Sequence, residues 1–273
     1  MAQRLSDVLG QSVVADNRAG AGGVIGTDVA AKATADGYTL LAGSAGPGTI
    51  SPLLQKVPYD MEKDFVPVAL AGRSPYFLVT NMSFPATNAR EFIALVKANP
   101  GKYSFGSSGT GASAHLITEW FNILAGLKAT HVPYKGSVPA LTDVVNGQVP
   151  YMIETVAATL PHVRSGRLRA YGVSLAKGTT LAPEVPPLAT VANLPGFDVG
   201  AWIGILVRSG TPKPVVDRLA AAMDQVMKAP DIRERIGVVG LEAEYRAGEE
   251  FGRYLREERA RFTDIIKTAN IRI

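Results

Sequence analysis

Tyr103-Ser-Phe-Gly-Ser-Ser-Gly-Thr-Gly-Ala-Ser-Ala-His-Leu116 passes from a short strand, Tyr103 to Phe105, through a Gly/Ser loop into a helix. The helix is read from apolar residues at helical spacing, Leu116, Trp120, Phe121 and Leu124. A strand feeding a helix through a tight glycine loop is the building unit of an α/β fold. The loop also carries chemistry. The N–H groups of a helix's first turn have no intrahelical acceptor and lie at the positive end of its dipole, which seats a carboxylate or a phosphate. Gly109 and Gly111 let the backbone approach such a ligand, and Ser107, Ser108, Thr110 and Ser113 add hydroxyl donors.

Two nucleotide chemistries fit this loop poorly. A phosphate-binding P-loop needs Lys-Ser/Thr after its second glycine; Gly106 and Gly111 have the spacing, but Ala112 stands where the lysine belongs. Gly109-Thr-Gly-Ala-Ser-Ala114 matches the looser dinucleotide pattern, yet no acidic residue lies between Ala129 and Gly136 to take a ribose. Two readings stand: a small anion held mainly by backbone, or a tight strand-to-helix turn and nothing more.

Working outward, 273 residues are enough for one large or two small domains. A hydrophobic content of 47% with 19% charged residues is that of an ordinary globular chain. Without cysteine there is no disulfide framework, thiolate zinc site or thiol nucleophile. The net charge of +4 comes from scattered basic residues with no aromatic-interleaved Lys/Arg run, so nucleic acid is not an expected partner. No apolar run reaches the roughly 18 residues of a membrane span. No metal and no cofactor are expected.

Elsewhere strands alternate with helices. Strands are read at Ser12 to Ala15, Tyr38 to Ala42, Phe65 to Leu70, Tyr76 to Thr80, Lys128 to Val132, Tyr151 to Glu154, Leu168 to Val173 and Ala201 to Val207. Helices are read at Val24 to Ala33, Asn88 to Asn99, Ser137 to Asn146, Val156 to Ser165, Lys213 to Lys228, Pro230 to Val238 and Gly248 to Ala269. Two further glycine-rich loops, Gly20 to Gly23 and Gly43 to Gly48, also follow strands. The pattern predicts an α/β fold with mostly parallel sheets and a ligand beyond the carboxyl ends of the strands. Met1 to Gly10 reads as the tail of an amphipathic helix ending at a glycine stop, with no export signal before it.

Several motifs in fixed order now carry a family resemblance. Val13-Val-Ala-Asp-Asn-Arg-Ala-Gly-Ala-Gly-Gly-Val-Ile-Gly26 is similar to V-V-x-E-N-R-x-G-A-G-G-x-x-G, and Ala35 to Ser44 to P-D-G-Y-T-L-L-x-x-S. Tyr59-Asp60 with Lys63-Asp-Phe65 resembles Y-D-x-x-K-D-F. Phe105 to Leu116 resembles F-G-S-x-G-x-G-x-x-x-H-L, and His131 to Ala140 resembles H-V-P-Y-K-G-x-x-P-A. The family is that of the tripartite tricarboxylate transporter substrate-binding receptors, of the Bug type, and the resemblance covers essentially the whole chain.

The resemblance implies a two-lobed periplasmic binding protein of type II architecture. It would be monomeric, close by a hinge on a small di- or tricarboxylate, and deliver it to the permease subunits of a tripartite transporter. One lobe would comprise residues 1–102 and 210–273 and the other 103–209, with hinges near Pro100-Gly101 and Gly210-Thr-Pro212. Members of the family begin with an export signal, a strand and a ligand-binding loop before the first helix, so the first strand is expected to lie upstream of Met1.

Individual residues keep paired readings. Ser44, in Ala42-Gly-Ser-Ala-Gly46, mimics a hydrolase elbow but has no histidine tied to it by any pattern, so a ligand hydroxyl donor is the expected role. His115 either faces the ligand or caps its own turn, and His131 is read as structural. Tyr134 follows a strand and can reach a ligand. Glu154 either accepts from a ligand or caps the next helix, and Trp202 is either core or a stacking wall. The competing functions are a small-molecule enzyme on the same architecture, serine hydrolase-like or nucleotide-dependent, and a ligand-sensing protein.

Overall fold

The structure is a computed structural model that describes residues 1–272. The chain divides into two compact units, Met1–Arg73 with Ala201–Thr263, and Ser74–Gly200 with the chain from Asp264 on. The first unit opens with α1 (Ala2–Leu9), α2 (Val24–Ala31), β1 (Leu40–Ser44), the short α3 (Ser51–Leu54) and α4 (Met61–Asp64), and β2 (Phe65–Ser74). The second unit runs through β3 (Tyr76–Asn81), α5 (Ala89–Lys97), β4 (Ser104–Ser107), α6 (Ser113–Ala125), β5 (Thr130–Pro133) and α7 (Ser137–Val145). It continues with β6 (Tyr151–Thr155), α8 (Val156–Arg164), β7 (Leu168–Val173) and α9 (Leu188–Val191). The chain then adds β8 (Ala201–Arg208), α10 (Lys213–Lys228), α11 (Pro230–Val238), β9 (Glu242–Ala247) and α12 (Gly248–Thr268).

In the first unit the sheet order is β1-β8-β2-β9. β1 runs antiparallel to β8, with Leu40 opposite Val207 and Ser44 opposite Ile203, and β9 runs antiparallel to β2. On α10, Leu219, Ala222, Met223, Val226 and Met227 recur at helical spacing, and this stripe packs with Leu5 of α1 and with Val68, Ile205 and Val207 of the sheet. A second cluster gathers Leu41, Phe65, Leu70, Trp202, Leu206 and Phe251. A cavity of about 1120 Å³ lies within this unit, bordered by Thr39–Ala42 at the sheet's edge strand, by α1 and α2, and by the segment Gln11–Arg18.

In the second unit the order is β5-β4-β6-β3-β7. β4 is parallel to both of its neighbours, whereas β3 is antiparallel to β6 and β7. Phe77, Val79, Leu141, Val144, Met152 and Val173 form one core cluster. Phe92 of α5 fills another, in ring contact with Phe84, Phe121, Tyr151 and Tyr171.

Four expectations are corrected. The sheets are not mostly parallel: in the second β3 is antiparallel to both neighbours, and in the first β1 runs antiparallel to β8 and β2 to β9. The units do not divide at 102/103 and 209/210: β3 belongs to the second sheet and α5 to its core, so residues 74–102 join the second unit, while β8 pairs with β1 in the first. Ser12 to Ala15 forms no strand; these residues lie along the cavity, and among the described residues no strand pairs with them. β9, not read in the sequence, lies between the last two long helices. Among the described residues no helix is long and apolar enough to cross a membrane.

Candidate functional site

The candidate site is the turn from β4 into α6. β4 lies between β5 and β6, so Phe105, Gly106 and Ser107 are buried. The chain then turns through Gly109 (φ 136°) and Gly111 (φ 78°), both in the region that favours glycine, and the Ala112 N–H closes the turn on the Gly109 carbonyl. α6 starts at Ser113 with Ala112 as its N-cap, which offers no side-chain acceptor. The first-turn N–H groups of Ser113, Ala114 and His115 therefore lack an intrahelical acceptor and a side-chain cap, at the positive end of a helix of 13 residues.

Beneath the loop two imidazoles stack, His115 on α6 and His131 on β5, with ring centres 3.7 Å apart and planes inclined by 11°. Phe105 stacks against the pair. His115 Nδ1 accepts the Gly111 N–H at 3.1 Å. His131 Nε2 is 2.6 Å from Ser107 Oγ, which also accepts the Gly109 N–H at 3.1 Å. Burial pushes both histidines down to about 4, His115 also through the neighbouring His131. Glu119, one turn along α6, has Oε1 3.8 Å from His115 Nε2, and burial pushes its carboxyl up to about 7.

The expected site residues separate into three sets. Thr110 is exposed, and Ser108, Gly109, Gly111 and Ser113 are half-buried, all on the loop or first turn. Ser107 and His115 are buried beneath it, their side chains committed to the loop's own hydrogen bonds. The Tyr134 hydroxyl donates to Asp143 at 2.6 Å, and burial with this partner raises it to about 12. Glu154 is buried, accepting from Ser137 Oγ and the Thr155 N–H, so it ties β6 to α7. Ser44 ends β1 in the first unit and borders its cavity, whereas all three histidines belong to the second unit. Of the two readings of Trp202, core or stacking wall, the structure has the core: the alternation of β8 turns it inward with Leu206, it is fully buried, and its indole N–H donates to Thr49. Sequence reasoning missed Glu119, although its placement four residues after His115 on a helix was a usable signal.

A pH dependence follows from these groups. The unfolded histidines, with an ordinary value of 6.5, take up protons before the folded ones do at about 4. Their contribution to stability is present above pH 6.5 and is lost as the pH falls towards 4. Glu119, raised to about 7 from 4.5, contributes in the opposite sense: its stability is present below 4.5 and is lost as the pH rises through 7. Glu119→Gln removes that opposing contribution. The variant's melting temperature should fall more steeply than the wild type's between pH 7 and 4.5, and equal slopes in thermal melts would count against the assignment.

The sequence pattern of the tripartite tricarboxylate transporter family receptor, TctC, matches residues 1–271. The chain belongs to this family. Protein BugT of Bordetella pertussis is 34% identical over 275 residues, covering 100% of this chain and 84% of BugT. Two solved structures from Rhodopseudomonas palustris are each 32% identical to this chain: Rpa4515 with adipate, TM-score 0.79, and MatC with bound malate, TM-score 0.74. They align over 99% and 97% of this chain respectively, and over 91% of each of their own. The receptor family thus accounts for the ordered motifs of the sequence and for the α/β architecture of both units.

Proposed function

We propose that the chain is a periplasmic receptor that binds a small carboxylate without chemical turnover and delivers it to a membrane permease of the tripartite type. The observation that carries this reading is the uncapped first turn of α6 behind a Gly/Ser loop, in a chain whose family includes relatives solved with adipate and malate. Backbone N–H groups at a helix start donate to a carboxylate oxygen without a side-chain cation. Ser108, Thr110 and Ser113 supply hydroxyl donors around that point, and Tyr134 lines the adjoining turn. The mild positive balance of +4 favours an anion over a cation.

The experiment is a thermal-shift screen of mono-, di- and tricarboxylates, including adipate and malate, against matched amines and sugars. A carboxylate at a hundred times its dissociation constant adds about 2.7 kcal/mol of stability by mass action, enough to raise the melting temperature measurably. Stabilisation by carboxylates alone is the expected result. A flat response to every carboxylate, or equal stabilisation by the amines, would overturn the reading.

A further inference from the structure

We propose that His115 and His131 act together as positioning residues for the Ser107–Gly111 loop, holding it in the shape that leaves the first turn of α6 open to a carboxylate. The proposal rests on the receptor reading for what the loop binds, but the tether itself is a property of the loop.

The chain of contacts is continuous. Gly111 N–H donates to His115 Nδ1 at 3.1 Å, and His115 stacks on His131 at 3.7 Å. His131 Nε2 meets Ser107 Oγ at 2.6 Å, and Ser107 Oγ accepts from Gly109 N–H and lies 3.1 Å from the Gly109 carbonyl. Both ends of the tether thus hold a loop glycine in a positive-φ conformation. Glycine has the most conformational freedom to lose, so an untethered Gly109–Gly111 loop would be ordered only when the ligand arrives, and affinity would fall by that entropy. The tether orders the loop in advance. It also engages the Gly109 and Gly111 N–H groups internally, which leaves the uncapped N–H groups of Ser113, Ala114 and His115 as the donors for the anion.

The geometry settles the tautomer of His115. A ring nitrogen that accepts an N–H carries a lone pair, so the single proton of the neutral imidazole is on Nε2, facing Glu119 Oε1 at 3.8 Å. A proton added at Nδ1 would set two donors against each other and break the link to Gly111. The pair is held neutral by its burial against Phe105 and by the closeness of the rings. An aromatic pair in this place for packing alone would need neither the acceptor nor the tautomer, which gives the proposal its test.

His115→Phe keeps a flat ring on His131 and removes the acceptor. His115→Asn gives up the ring but can offer Oδ1 where Nδ1 stood. Adipate and malate binding is measured by calorimetry for both variants and the wild type, with hydrogen exchange at the Gly111 amide and the imidazole nitrogen shifts of the wild type. His115→Phe should bind roughly tenfold more weakly or worse, the scale of one hydrogen bond lost from a preordered site, and its Gly111 amide should exchange faster. His115→Asn should recover most of both losses, and the wild-type shifts should report a bare Nδ1. Equal binding and equal Gly111 protection in His115→Phe would overturn the proposal, as would a proton on Nδ1 or an asparagine variant as weak as the phenylalanine one. If His115→Phe does not fold, Ser107→Ala tests the other end of the tether, where unchanged binding and unchanged Gly109 exchange would also refute it. If the wild type binds no carboxylate, the receptor reading fails, and the amide exchange and nitrogen shifts still decide the tether.

Discussion

Gly109→Val is expected to weaken carboxylate binding by roughly a hundredfold, the equivalent of two tenfold steps at about 1.4 kcal/mol each. At φ 136° Gly109 occupies backbone space that L side chains rarely enter, and a β-branched residue there is a strong outlier. A Cβ at this position would also lie 3.3 Å from the Tyr134 carbonyl oxygen, which is backbone and cannot swing aside. Strain of this kind costs about 1–3 kcal/mol, and the loop relieves it by moving. The movement breaks the Gly109 N–H bond to Ser107 Oγ and shifts the Ser108 carbonyl, which holds the Gly136 N–H at 3.2 Å. The donors at the start of α6 then no longer converge. Gly101→Val is the control: Gly101 also has a positive φ, 78°, with open space around its Cβ, but it precedes β4 at the far end of that strand from the loop. Both variants should melt earlier, and only Gly109→Val should lose adipate and malate binding by calorimetry. Wild-type affinity in a folded Gly109→Val protein would remove the loop from the site.

The β4–loop–α6 unit was legible because every local signal agreed. A short apolar strand, glycines where the chain must turn, and apolar residues at helical spacing converge on one structure. The boundaries between the units were not legible, because the signals used for them mark turns and not domains. Pro100-Gly101 joins α5 to β4 inside the second unit, and Gly210-Thr-Pro212 joins β8 to α10 inside the first. The actual crossings fall after Arg73, Gly200 and Thr263. Which unit owns a strand is decided by its ladder partners, and those are far apart in sequence: Leu78 of β3 pairs with Ile153 and Gly172.

The same limit explains the two strand errors. Val13 and Val14 have strand propensity, but a strand exists only when a partner satisfies its backbone, and among the described residues none pairs with them. Glu242–Ala247 has weak propensity and polar residues, yet β2 supplies a partner and makes it a strand. The site shows the parallel effect for side chains. Ser107 and His115 lie in the stretch read as the candidate site, but spacing alone cannot tell a hydroxyl facing a ligand from one that holds the loop from beneath. That distinction depends on His131, which comes from β5.

Glu258→Ala is expected to be the most destabilising single change in the first unit away from its glycines. Glu258, on α12, is 1% exposed and accepts from the Tyr254 hydroxyl at 3.0 Å and from Thr49 Oγ1 at 3.1 Å. Thr49 in turn accepts the Trp202 indole N–H at 2.9 Å. Alanine leaves two buried hydroxyls without their acceptor and opens a cavity, a loss of about 3–5 kcal/mol. Burial raises the Glu258 carboxyl to about 7 from its ordinary 4.5, against the lowering effect of its hydrogen bonds and of Arg261 and Arg73. The folded state therefore holds the proton more tightly than the unfolded chain does. This group's contribution to stability is complete below pH 4.5 and is lost as the pH rises through 7. Glu258→Gln keeps an acceptor and has no proton to lose. It should match the wild type near pH 5 and exceed it near pH 8, by an amount on the order of 3 kcal/mol, since every tenfold gain in proton affinity on folding is worth about 1.4 kcal/mol. Thermal melts of the wild type and both variants at the two pH values separate the effects. If the glutamine variant tracks the wild type at both, Glu258 is ionised in the fold throughout and its burial is compensated by the arginines; if the alanine variant melts with the wild type, the Trp202–Thr49–Glu258 chain does not hold the first unit together.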